Sequence, residues 1–335
     1  MSRRVTALLI LLLCSAGSAA AQSVEPQPGI PELQETATQS SLDGEQQPVR
    51  YWAPETAATQ ATPLFVFLHS WSGDYTQDNS RWLRLAVEQG WIFLHPNFRG
   101  INNSPKACGS RFARRDILDA IAWASKEFNV DANRVYLAGV SGGGHMAMLM
   151  AGHHPEHFTA VSAWVGISDL SEWHRFHVKD GQPDRYAEMI VASLGGPPGT
   201  SEMIDAEYRD RSPIFHIRKS GDLPIHIYAG VEDGHSGSVP VRHSLEAFNQ
   251  IALAHQQPQV TEEEMQQLWV EKRLLKPGPS DVESAKLGDR DILLRRHAGP
   301  STVTIFQGGH ESLPDSAVRW LQQFQRPVKG VYAKP

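Results

Sequence analysis

The chain has 335 residues, of which 41% are hydrophobic and 20% charged, with 9 Trp, 12 Phe and 7 Tyr. That length and apolar content allow a large packed core and exclude a disordered chain as the default. A formal charge of −6 with no Lys/Arg cluster leaves little basis for phosphate neutralisation, so no nucleic-acid partner is expected.

At the amino end, Arg3 and Arg4 precede an apolar run over 7–13, and Ala19, Ala20 and Ala21 place small residues ahead of Gln22. The run is too short to span a bilayer. The pattern reads as a secretory signal peptide over 1–21, which implies a secreted or periplasmic protein with no stable membrane anchor. Cys14 would suit a lipoprotein, but Leu13 stands where a small residue belongs. Removal of the peptide leaves Cys108 as the one cysteine, so no internal disulfide is expected and Cys108 reads as a small filler. The stretch 22–47, rich in Gln, Pro, Glu, Ser and Thr, reads as a flexible leader, or at most a first edge strand.

Regular structure is expected from 48 onward. The runs PLFVFLH (63–69), WIFLHPNF (91–98), RVYLAGVS (134–141), FTAVSAWVG (158–166), LPIHIYAG (223–230) and STVTIFQGG (301–309) are short and continuously apolar, as suits strands covered on both faces. Helical patterns over 79–90, 114–128 and 143–155 separate the first four. Alternating strand and helix predict an α/β fold, a mostly parallel twisted sheet with helices on both faces.

Within that frame, Gly139-Val140-Ser141-Gly142-Gly143 fits G-x-S-x-G between a strand and a helix. A serine on so sharp a turn stands clear of the sheet's carboxyl edge, and the following helix offers its N-terminal dipole to a developing oxyanion. A serine alcohol is a poor nucleophile, so it needs a base and an orienting acid. In this architecture the acid and then the histidine follow in chain order, each just past a strand. Asp233, three residues after Gly230, and His310, after Gly308-Gly309, take those places. Glu232 and Asp169 are the alternative acids, and His235 lies too close to Asp233 to serve as base. The oxyanion is expected to be held by the Gly142 amide and by an amide of the loop LHSWSGD, for which Trp71 is chosen. His69 reads as a loop-shaping residue.

On these residues, the chain from about Val49 onward resembles the α/β-hydrolase superfamily. The passages NFRGINNSPKACGSRFARRDILDAIAW, YRDRSPIFHI and GVEDGHSGSVPVRHSLEAFNQI are similar to the catalytic domains of the prolyl oligopeptidase family and related secreted carbohydrate esterases. The resemblance implies a serine hydrolase and places the family's aspartate on Asp233. Peptidases of that family usually carry a β-propeller ahead of the hydrolase domain. The interval between Gln22 and the first apolar strand is too short for one, which favours an ester hydrolase acting on acetyl or feruloyl groups of polysaccharides. A short-peptide peptidase is the rival reading, and a binding protein on an inactive hydrolase scaffold the third. Trp71, Trp164 and Trp173 are candidate substrate-binding aromatics.

Two insertions are expected to shape specificity. One, over about 172–222, would form a cap; the other, over about 257–296, would carry a polar amphipathic helix and a hairpin turning at Gly299-Pro300. His153, His154 and His157, or His174 with His177, are candidate metal ligands. No Cys-rich or His-Glu-x-x-His pattern accompanies them, so neither metal nor other cofactor is expected.

Overall fold

Residues 62–68 alternate nothing: every side chain is apolar or small, and every one is buried, as a strand with helices over both faces requires. This strand and its neighbours are described by a computed structural model covering residues 29–281 and 286–327. The signal peptide expected over 1–21, with Cys14, lies outside the described residues. All elements belong to the unit Pro31–Pro335; of the other unit, Met1–Ile30, only Gly29 and Ile30 are described.

In chain order, β1 (Gln34–Gln39) and β2 (Gln46–Trp52) form an antiparallel hairpin. Next come β3 (Thr62–Leu68), α1 (Ser80–Glu88), β4 (Ile92–Pro96), α2 (Arg111–Glu127), β5 (Val130–Val140), α3 (Gly142–His153) and β6 (Ala160–Trp164). A mainly helical segment follows, with α4 (Leu170–Phe176), the two-residue strands β7 (Val178–Lys179) and β8 (Gln182–Pro183), α5 (Arg185–Leu194) and α6 (Glu202–Arg211). The chain re-enters the sheet as β9 (Ile225–Gly230), passes through α7 (Arg242–Ala254) and α8 (Glu262–Glu271), and continues with β10 (Ile292–Ala298), β11 (Ser301–Phe306) and α9 (Pro314–Leu321). Among the described residues no helix is long and apolar enough to cross a membrane.

Among the described residues, the main sheet has nine strands in the order β1-β2-β4-β3-β5-β6-β9-β11-β10. Strands β4, β3, β5, β6, β9 and β11 are mutually parallel, so their carboxyl ends share one edge. Antiparallel β1, β2 and β10 close the two sides. This is the α/β-hydrolase fold. The hairpin expected at Gly299-Pro300 is β10–β11, and the amphipathic helix is α8, opened by a capping box between Thr261 and Glu264.

The fold corrects two boundaries. The stretch 22–47, expected as a flexible leader or at most a first edge strand, contains that edge strand as β1, the outermost of the sheet, and β2 begins before 48. Its physical anchor is the Arg99 guanidinium, whose side chain is only 2% exposed and is held by Ser40 (2.9 Å), Asp43 (2.9 Å), Glu45 (2.6 Å) and the buried Asp116 (2.5 Å). A buried cation is tolerable only when fully partnered, and three of its four partners come from the turn between β1 and β2. Helix α2 also begins three residues before the expected 114, because the Ser110 side chain caps it by accepting from the Ala113 N–H (3.2 Å).

Candidate active site

The sequence places Ser141 between β5 and α3 with no residue to spare, and the backbone records the cost. Ser141 has φ 60° and ψ −117°, a conformation that L side chains rarely adopt and that typically costs about 1–3 kcal/mol. The turn is compact enough that a Cβ on Gly139 would lie 2.2 Å from the Gly143 carbonyl oxygen, so glycine is required there. Two backbone hydrogen bonds hold the strained residue: its N–H donates to the Trp164 carbonyl (2.9 Å), and its carbonyl accepts from the His145 N–H (2.9 Å). Its hydroxyl makes no capping bond to α3 and is left free for other partners.

Asp233 and His310 meet at the same edge. Asp233 lies three residues past β9 and His310 four past β11, and the adjacent loops are stitched by the Glu232 N–H donating to the Gly308 carbonyl (2.9 Å). Asp233 is fully buried, and its Oδ2 lies 2.7 Å from His310 Nδ1. Its Oδ1 accepts from the N–H groups of Gly234 (2.9 Å) and Val239 (3.1 Å). The carboxylate is thus fixed from one side by backbone and offers its other oxygen to the imidazole. His310 keeps a quarter of its side-chain surface exposed, as a group that meets a substrate must. Among the alternatives, Glu232 is a surface group 3.9 Å from Lys272. Asp169 caps α4 by accepting from the N–H groups of Ser171 (2.7 Å) and Glu172 (3.1 Å), and His235 stacks on Trp269 at 3.7 Å.

The third part is a pair of amides. Gly142 is the first residue of α3, where an N–H has no intrahelical acceptor. A Cβ on it would lie 2.3 Å from the Trp71 nitrogen, so the two amides are immediate neighbours. Among the described residues, no backbone carbonyl accepts from the Trp71 N–H. His69 shapes this loop: its ring nitrogens bridge the carbonyls of Ser70 (3.0 Å) and Asn97 (2.7 Å), and its ring stacks on Phe98 at 3.8 Å. Burial lowers its pKa.

The aromatic candidates require correction. Trp164 is fully buried, stacks on Tyr228 at 3.9 Å, and donates its Nε1–H to Ser162 Oγ (2.9 Å). It is core, because β6 is covered on both faces. Trp173 is equally buried, with its ring edge-on to Trp71 at 4.6 Å, so it packs the cap rather than lining an open cleft. Trp71 as a whole is also only 1% exposed, so its ring is packed in the interior and offers no open platform to a substrate. Trp71, Trp173, Cys108, Ile190, Tyr208 and Val239 belong to one apolar cluster that seats α4, α5 and α6 on the loop after β3. Cys108 is a filler there, its thiol pushed up to about 12 by burial and so no nucleophile.

Sequence reasoning missed the clasp between this cap and the acid loop. The Ser238 carbonyl accepts from Trp173 Nε1–H (2.7 Å) and also faces His177 Nε2 (2.9 Å), while His177 Nδ1 meets Asp184 (2.6 Å). No local pattern marks it, since the partners are more than 60 positions apart.

A free serine hydroxyl on a strained strand-to-helix turn, an imidazole oriented by a buried carboxylate, and two adjacent amides define a serine hydrolase of the α/β-hydrolase type. The sequence profile of the prolyl oligopeptidase family matches residues 79–266. The match covers more than half of the chain, which belongs to that family. Among curated relatives, dipeptidyl-peptidase 5 of Porphyromonas gingivalis is 36% identical over 163 residues, 46% of this chain and 22% of that protein. Feruloyl esterase B of Neurospora crassa is 29% identical over 35% of this chain and 43% of its own length. Acetylxylan esterase A of Emericella nidulans is 29% identical over 30% and 34%. The chain thus spans less than half the length of each of these proteins. Among solved structures, a puromycin-hydrolyzing peptidase of Mycobacterium tuberculosis superposes with a TM-score of 0.60 at 15% identity, covering 89% of this chain and 40% of that one. That likeness concerns the fold.

Proposed function

We propose that the protein is a secreted or periplasmic serine hydrolase that cleaves carboxylic esters, acetyl or feruloyl groups on polysaccharides being the favoured substrates. The observations that carry the hydrolase mechanism are the 2.7 Å contact between His310 Nδ1 and the buried Asp233 and the strained backbone of Ser141 at the carboxyl end of β5. Ser141 Oγ attacks the ester carbonyl carbon while His310 Nε2 takes its proton, and Asp233 orients the imidazole and stabilises its cation. The amides of Gly142 and Trp71 hold the oxyanion. His310 then protonates the leaving alcohol, and the acyl-enzyme is released when His310 activates water. The likeness to a feruloyl esterase and an acetylxylan esterase supports the ester reading, and the Arg3–Ala21 pattern supports export.

A peptidase reading has its own support in the 36% identity to a dipeptidyl-peptidase. Both are tested by one panel, run on wild type and Ser141→Ala: p-nitrophenyl acetate, methyl ferulate, acetylated xylan and Gly-Pro-p-nitroanilide. Ester turnover lost by a factor of about 10³ or more in the variant supports the esterase. Cleavage of the anilide alone replaces it with the peptidase. No turnover, or equal rates for both proteins, leaves a binding protein on a hydrolase scaffold. Mass determination of the chain recovered from outside the cytoplasm tests export: a mature amino end near Gln22 is expected.

A further inference from the structure

At the far end of α3 from Ser141, three potential ligands converge. His153 is the last residue of α3, Asp210 the penultimate residue of α6, and His216 follows the short turn Pro213–Phe215. One ligand atom from each can be chosen so that all lie within 4.8 Å of one another. Packing brings them there: a Cβ on Gly152 would fall 2.7 Å from the His216 carbonyl carbon, so the α3 backbone rests directly on the His216 backbone. The two imidazoles lie 4.0 Å apart between centroids.

The hydrogen bonds select the tautomers. His216 Nε2 faces the Arg209 carbonyl at 2.9 Å, and His153 Nε2 faces the Asp210 carbonyl at 3.2 Å. A carbonyl only accepts, so each Nε2 carries the proton and each Nδ1 is left with a lone pair. His216 Nδ1 is buried and has no hydrogen-bond partner among the described residues. A buried lone pair without a donor is costly and points to a missing partner. Asp210 is oriented from outside by Arg114, which donates to its Oδ2 (3.0 Å) and to its carbonyl (3.2 Å). A carbonyl behind each histidine and a guanidinium behind the carboxylate form the kind of outer shell that metal ligands have.

We propose that His153, Asp210 and His216 bind one divalent transition-metal ion, zinc by preference, with water completing the tetrahedron. Two imidazole nitrogens and one carboxylate oxygen suit zinc. Bonds of about 2.1 Å at tetrahedral angles would draw the donor atoms to roughly 3.4 Å apart, a closure within reach of side-chain torsions. The ion is structural. It ties α6, and through it the cap, to the helix that begins at Ser141, and takes no part in acyl transfer.

The test uses the untagged full chain, stripped with a chelator and dialysed. Zinc titration by calorimetry, with metal analysis of the dialysed complex, is expected to give one ion per chain and a melting temperature raised by several degrees. His153→Gln and His216→Gln should each weaken zinc binding about tenfold or more, and leave p-nitrophenyl acetate hydrolysis unchanged in the metal-free state. Should either variant fail to fold, X-ray absorption on zinc-loaded wild type decides, since two imidazoles in the zinc shell are expected. Failure of wild type to retain stoichiometric zinc, unchanged affinity in both variants, or a zinc shell without two imidazoles overturns the proposal.

Discussion

Replacing Asp233 by Asn tests the site where it is best defined. Asn is nearly the same size, so the fully buried pocket stays filled. The Gly234 and Val239 N–H groups need an acceptor where Oδ1 now stands, at 2.9 and 3.1 Å. Those donors force the Asn carbonyl oxygen into that place, and the amide NH2 then occupies the Oδ2 position facing His310 Nδ1 at 2.7 Å. An NH2 group only donates, so Nδ1 must give up its hydrogen and become the acceptor. The proton moves to Nε2, the nitrogen that has to be bare to accept the Ser141 proton. The imidazolium also loses its counter-charge. A loss of about 10³–10⁴ in kcat follows, roughly 4–5.5 kcal/mol of transition-state stabilisation. Folding stability should fall by about 1–3 kcal/mol, since three charge-assisted hydrogen bonds become neutral ones while every partner stays satisfied. The assay is the ester panel together with urea denaturation, with Glu232→Gln as a control expected to keep full activity. If Asp233→Asn retained kcat within tenfold of wild type, or if Glu232→Gln lost it, the assignment of Asp233 as the orienting acid would be refuted.

Three further outcomes are expected. Gly142→Ala would press a Cβ to 2.3 Å from the Trp71 nitrogen and 2.5 Å from its Cα. The two amides should move apart, lowering kcat about 10²–10³-fold in the ester assay, with about 1–3 kcal/mol of destabilisation in urea titration. Trp164→Ala should cost about 3–5 kcal/mol of stability as a core truncation, and leave the KM for methyl ferulate of the folded fraction unchanged; a raised KM would return Trp164 to the substrate site. Stability should fall as pH drops from 6.5 toward 4. Burial lowers His95 and His145 to about 4 and His243 to about 3. Between these values and the unfolded value of about 6.5 the unfolded chain binds the extra protons, so stability rises with pH there and is lost on acidification. Each group adds up to about 1.4 kcal/mol per pH unit. Urea midpoints that stay flat between pH 6.5 and 4.5 would contradict this.

The residues that carry short-range instructions are the ones the sequence made legible. Ser141 sits in a turn whose glycines are needed within two residues, and Asp233 and His310 each follow a strand whose apolar run ends in glycine. The order of strands and helices followed from the same local periodicities, because a strand covered on both faces must be apolar throughout. What the tertiary structure alone decided is which surfaces meet. Trp164 and Trp173 look alike as aromatic side chains near the site, and only the packing of Tyr228 and Trp71 against them makes both buried. The polar stretch holding Ser40, Asp43 and Glu45 has the composition of a mobile leader. It is ordered because Arg99, more than 50 residues away, buries its charge among them. The clasp at the Ser238 carbonyl and the His153–Asp210–His216 cluster are likewise invisible along the chain. Local pattern reports what a residue prefers in its own element, whereas burial, charge pairing and convergence of ligands depend on partners that only folding brings within reach.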